Sequence, residues 1–401
     1  MADMPIGQLI KLHRIDRKMS TVYVATHAGI SARYLEMIEA GSKTPSLPTL
    51  RKIAKVLRLR TSALISDLAS EDHEGPVGPR LAATERALYT FRSLSLTDRT
   101  APPDLIEFAE RIDAAWDAWF TSPTKFSDVL DVLPELIVDA ELAVHHSERS
   151  TDACRQASEV YQIARPVLKH AGRADLGTLV TDRAMRYAEE NGDPILVAAA
   201  TWNVSQAMLS NDMPEGGLDL SVRAAEQLEP LLPDGTPELF SVYGGLLLNA
   251  AIGSVRIGDP WRGRNILRGP AYQAAKKVGD GHNYHGTVFG PSNVAIHMVS
   301  LASEAGEAPD AIRLADDVDI SAVPSLERRT THLYQVARAY EQRNNDTAVL
   351  VHLMMAYREC PQDFQYKPHV RGMVGALVRR ARPSYVAEVR EFAATIGLLG
   401  E

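Results

Sequence analysis

Two cysteines in 401 residues, Cys154 and Cys360, stand far apart with no second cysteine or histidine at ligand spacing beside either. That argues against a disulfide framework and a zinc site, and both read as buried thiols. No apolar run reaches the roughly 18 to 20 residues that a bilayer demands, and Met1 to Gly7 lacks the charged and apolar blocks of a signal peptide. The expected compartment is therefore the cytoplasm, with no membrane partner. A G-x-x-x-x-G-K-[ST] loop, a G-x-S-x-G elbow and an H-E-x-x-H helix are all missing, so neither an enzyme, nor a cofactor, nor a bound metal is expected. What is present, 45% apolar and 23% charged residues, is the composition of a chain that buries a large core. Its length predicts two or three folding units.

The net charge of −8 conceals an asymmetry. Residues 1–60 hold eleven Lys/Arg against four Asp/Glu, a balance of +7, which leaves −15 for the remainder. The positive field that neutralises phosphates is thus concentrated at the N-terminus, while an acidic body discourages nonspecific coating of nucleic acid.

Within that basic segment, Ile6, Leu9 and Ile10 make an apolar helical face, followed by a solvated flank from His13 to Met19. Ser20 is placed to cap a short helix through Val24, Ala25 and Ala28, and Gly29 can take the left-handed conformation that ends it. Ser31 then caps a second helix, Ala32 to about Ala40, closed by Gly41. Leu35 and Ile38 are expected inward there, with Ala32, Arg33, Glu36 and Met37 outward. Leu47, Leu50, Ile53, Ala54 and Leu57 predict a fourth helix, and Ser62 to Leu68 a shorter fifth.

The string S-T-V-Y-V-A-T-H-A-G-I-S-A-R-Y-L-E-M-I-E-A-G, Ser20 to Gly41, with K-T-P-S-L-P-T-L from Lys43 to Leu50, resembles the XRE family, the domain of lambda-type repressors and Cro proteins. The resemblance implies a five-helix DNA-binding domain over residues 1–69 and double-stranded operator DNA as partner. It places Ser31, Ala32, Arg33, Glu36 and Met37 where recognition-helix residues meet DNA. Arg33 is then the base reader, its fork matching guanine O6 and N7, while Glu36 either accepts from cytosine N4 or is a solvated charge. The family often has Gln at the first position of the preceding helix; here Thr21 stands there, a shorter phosphate contact. Lys43 and Thr44 are further candidate phosphate contacts.

Polar residues 70–80, with two Gly and two Pro, predict a linker, and residues 81–401 read as helices with no convincing strand. Helix pairs are expected to begin near Pro194, Pro237, Pro291 and Arg329. They look like an irregular TPR-like α-solenoid, in which each pair covers its apolar face by stacking on its neighbours. The stretch F-G-P-S-N-V-A-I-H, Phe289 to His297, resembles a segment of actinobacterial regulators that join an XRE domain to TPR repeats.

Asn203, Asn249, Asn293 and Gln335 recur at intervals of 46, 44 and 42 residues inside the first helices of these pairs. Either they form a ladder along a concave groove, where an amide pairs with the backbone of an extended ligand, or they bridge adjacent helices. Gram-positive peptide-receptor regulators, the kind used in quorum sensing, look similar and hold a signalling peptide with groove asparagines. That likeness adds Trp202, Gln206, His297 and Arg338 to the candidate ligand site. The loop G-D-G-H-N-Y-H-G, Gly279 to Gly286, offers His282 and His285 but no further metal ligand nearby, and reads as a lid. Together these features predict a homodimeric transcription regulator, nucleoid-associated when on DNA, whose body senses a small molecule or peptide. The alternative is a DNA-bound scaffold whose repeats recruit a protein partner.

Overall fold

The computed structural model describes residues 6–43, 45–59, 64, 77–89, 101–147 and 149–399. Among them there are helices and no strands. Four helices build the N-terminal unit: α1 (Ile6–Asp16), α2 (Thr21–Ala28), α3 (Ala32–Glu39) and α4 (Leu47–Val56). Leu9, Ile10, Val24, Leu35, Ile38, Leu50, Ile53, Leu57 and Leu64 form its core. Gly7 allows α1 to lie directly on α3, since a Cβ there would be 1.9 Å from the Ile38 carbonyl oxygen. Apart from the buried Leu64, the predicted fifth helix lies outside the described residues.

The body starts with α5 (Val77–Leu88), so the last residues of the expected linker are already helical. Six helix pairs follow, and the first helix of each pair packs on the first helix of the next. They are α6 (Leu105–Thr121) with α7 (Lys125–His146), α8 (Thr151–His170) with α9 (Ala174–Asn191), and α10 (Pro194–Ser210) with α11 (Pro214–Leu228). The fourth joins α12 (Pro237–Arg256) to α13 (Pro260–Ile266), which continues through a π-helical turn at Gly269 into α14 (Tyr272–Val278). The fifth is α15 (Pro291–Ala305) with α16 (Ala308–Asp316), and the sixth α17 (Leu326–Gln342) with α18 (Asp346–Glu359). Short helices α19 (Asp363–Tyr366), α20 (Pro368–Arg380) and α21 (Val386–Thr395) cover the last pair through Phe364, Val370, Val374, Leu377 and Phe392.

The turns between pairs are chemically determined. Gly192 takes φ 81° to end α9, Asp193 caps α10 by accepting from the Ile195 N–H, and Pro194 fills the first helical position, where no donor is needed. Thr236 and Pro237 start α12 in the same way. Two pairs precede the four read from the sequence, and α7 and α8 run through Pro134 and Pro166 to lengths of 22 and 20 residues. One helix, Pro237–Arg256, is as long and apolar as a membrane span, which the sequence reading did not expect, but it is mostly buried between its neighbours.

The array closes on itself, with α17 packing against α6. Phe126 of α7 stacks on Tyr366 at 4.1 Å between ring centroids, and Gln362 Oε1 accepts from the Phe126 N–H at 3.0 Å. Lys125, fully buried, lies 2.8 Å from Glu327 and 3.2 Å from Asp363, and Lys367 pairs with Asp363 at 2.8 Å. Burial alone would lower the Lys125 pKa; Glu327 and Asp363 reverse that and raise it. The first helices therefore line the inner side of the closed array, here called the channel.

Candidate nucleic-acid interface and inner channel

The recognition segment is built by its caps. Ser20 Oγ accepts from the Tyr23 N–H and Ser31 Oγ from the Tyr34 N–H, each at 3.1 Å, and Gly29 between the two helices has φ 67°. Leu35 and Ile38 anchor α3 in the core at 0% and 1% exposure, which turns Arg33 and Glu36 fully outward, with Ala32 and Met37 half-buried beside them. Ser31 and Lys43 are exposed, Thr21 is half-buried at the start of α2, and Thr44 lies outside the described residues. Arg14 is not a solvated charge as the sequence suggested. Its guanidinium grips Glu39 at 2.6 and 2.8 Å and donates to the Met19 carbonyl at 3.0 Å, tying α1 to the back of α3.

The amide series divides along the channel wall. Asn203 Oδ1 accepts from Arg165 Nε at 2.6 Å, while its amide donates to Gln162 Oε1 at 3.0 Å and to the Ala199 carbonyl at 3.3 Å. Asn249 donates to the Trp202 carbonyl at 3.0 Å and to Ser205 Oγ at 2.5 Å. These two bridge adjacent first helices, the second of the two roles that the spacing allowed. Asn293 donates to the Thr287 and Val288 carbonyls, and its Oδ1 is buried without a partner, as is Gln335 Oε1. Trp202 is 4% exposed and belongs to the apolar core, so it presents no stacking face. Gln206, His297 and Arg338 are half-buried. His297 is lowered to about 3 by burial and then by Arg328.

Helices α8 and α17 carry polar stripes that the sequence reading passed over. On α8 it runs Arg155, Glu159, Gln162, Arg165, Lys169; on α17, Arg328, Thr331, Gln335, Arg338, Gln342. Gln162 extends the amide series by one step of 41 residues toward the N-terminus, the signal by which the second pair could have been found. The loop 279–290 crosses from α14 to α6: Gly286 packs on Trp116, and His285 lies 2.7 Å from Glu238. Among the described residues, no group of His, Cys, Asp and Glu is arranged to hold a metal. Two surface pockets, one of about 530 Å³ beside Leu232 and Phe240 and one beside Pro103 and Arg111, lie away from the amides.

Residues 10–64 match the model of the helix-turn-helix family HTH_3. The N-terminal unit is an XRE-like helix-turn-helix domain. Over 64 residues, 16% of the chain, it is 39% identical to the immunity repressor protein of Bacillus phage phi105, of whose length the match spans 44%. The crystal structure of Bacillus thuringiensis PlcR in complex with the peptide PapR7 and DNA aligns over 86% of this chain and 98% of its own, with 14% identity and a TM-score of 0.31.

The helix-turn-helix domain rests on the body. Its α4 packs against α15, and Arg51 reaches Asp212, in the turn after α10, at 3.3 Å. Arg51 Nε and Nη1 are buried without partners, and burial, followed by the neighbouring Arg256, lowers its pKa. The contact holds a cation at the domain boundary with only part of its hydrogen-bonding capacity used.

Proposed function

We propose that this chain is a sequence-specific transcription regulator that binds operator DNA as a homodimer through its helix-turn-helix domain and senses a small molecule or peptide in the channel of its body. The observation that carries the reading is the outward pair Arg33 and Glu36 on a helix whose opposite face is locked into the core. A rigid helix presenting a bidentate donor and an acceptor is what major-groove readout needs. Two such helices in a dimer address half-sites about one turn of DNA apart. Footprinting on genomic fragments is expected to find paired, salt-sensitive protection; protection that shows no sequence preference overturns the reading.

Sensing is coupled to DNA through α4 and Arg51, which touch both the DNA-binding domain and the wall of the channel. Arg51 is incompletely satisfied where the domain is docked, and an effector that prefers the docked or the undocked arrangement shifts the population. Arg51→Leu is expected to change operator affinity severalfold without effector and to blunt the effector response. Unchanged affinity and an intact response would remove this contact from the mechanism.

A further inference from the structure

Arg165 and Lys169 near the end of α8 and Arg328 at the start of α17 lie beside the place where His170 meets Glu327 at 3.4 Å, Arg338 stands ten residues further along α17, and none of the four forms an ion pair within 4 Å among the described residues. Arg165 spends one N–H on Asn203, and the side chains of the other three make no hydrogen bond there. The carboxylates around them are already committed. Glu304 is held by Arg256 at 2.7 and 2.8 Å, and Glu327 is shared by Lys125 and His170.

Lys169 shows how these groups face one another. It is exposed to solvent and follows directly before His170, whose imidazole lies 3.4 Å from Glu327, so it stands where α8 and α17 meet. Burial and then Arg328 lower Arg165 to about 10. Like charges held together without counter-charges cost stability unless something arrives to neutralise them. Asn293 Oδ1 and Gln335 Oε1, buried acceptors without donors, mark the same wall.

We propose that the place where the end of α8 meets the start of α17 receives an anionic group of the effector, a carboxylate or a phosphate, with Arg165, Lys169 and Arg328 as its donors. The planar guanidinium fork suits both oxyanions, and Asn293 and Gln335 add acceptors for N–H or O–H groups beside the charge. This rests on the channel being the sensory site.

The test is calorimetric titration of the full chain with inorganic pyrophosphate and, separately, with citrate, at constant ionic strength. Saturable binding is expected for at least one of them. Binding of pyrophosphate alone assigns a phosphorylated effector, and binding of citrate alone a carboxylate, including a peptide C-terminus. Lys169→Gln and Arg328→Gln should each weaken it about tenfold, while Arg33→Ala with Lys43→Ala leaves it unchanged. Lys169 makes no hydrogen bond with its side chain, so its replacement should preserve the fold. Without anion it should raise Tm, because repulsion is relieved, and with anion it should lower the Tm gain. No binding of either probe, or binding undiminished in the channel variants, overturns the proposal. Channel binding that leaves operator affinity unchanged upholds the anion site but defeats the sensor reading.

Discussion

At Gly7 there is no room for a methyl group, because the Ile38 carbonyl oxygen occupies its position. Gly7→Ala must separate α1 from α3, and overpacking of this kind costs about 1 to 3 kcal/mol. The urea midpoint of the helix-turn-helix domain should fall accordingly, while the body is unaffected; an unchanged midpoint would mean that α1 shifts at no cost. Arg33 is the opposite case, a residue whose replacement leaves the fold alone. Arg33→Ala should cost about 1 to 3 kcal/mol of specific binding and relax selection at a single base position. Equal loss on all sequences in a competition assay would show a phosphate contact instead. Of the two, Arg33 was legible in the sequence and the close approach at Gly7 was not. The outward position of Arg33 followed from helical period and caps, whereas the Arg14–Glu39 pair joins residues 25 positions apart that no local pattern connects.

Among elements, the joint between α10 and α12 shows how the channel wall is held. Asn249 closes it with donors to the Trp202 carbonyl and Ser205 Oγ, both otherwise facing an apolar core. Asn249→Ala removes both bonds, leaving Ser205 Oγ without its donor while the Trp202 carbonyl keeps the Ser205 hydroxyl at 2.8 Å, and should destabilise the body by about 1 to 3 kcal/mol. Thermal unfolding followed by circular dichroism measures this, and a variant of native stability would return Asn249 to the role of ligand contact. The amide spacing was legible because repeats impose a period; the division of the amides into bridges and open acceptors was not. That division depends on which groups lie opposite, and the Arg165 that saturates Asn203 belongs to a pair that precedes the four read from the sequence. Cap residues, by contrast, act within four positions of themselves, which is why Ser20, Ser31 and Gly29 were read correctly.

For the whole molecule, its buried histidines make acid the natural denaturant. Burial, ahead of every other influence, lowers His170 and His332 to about 4 and His297 to about 3. Unfolded histidines take up their protons near 6.5, so the unfolded chain binds more protons than the folded one from there down to these lowered values. Stability is therefore full above about pH 6.5 and declines as pH falls toward 4. His332, 4% exposed with an unpartnered Nδ1, should account for up to about 3 kcal/mol of the decline. His332→Gln should flatten the acid limb of a stability–pH profile recorded by denaturant titration; an identical limb would show that His332 stays neutral in both states.

Stacked repeats ordinarily fray from free ends, each unit answering only to its neighbours. The seam where α17 meets α6 removes those ends, because Lys125 finds its carboxylates about two hundred residues further along the chain. A nascent body leaving the ribosome therefore carries an unfinished surface at Trp119, Phe126 and Lys125 until residues 327–366 emerge. Once the seam shuts, the loss of any one pair becomes the loss of all six.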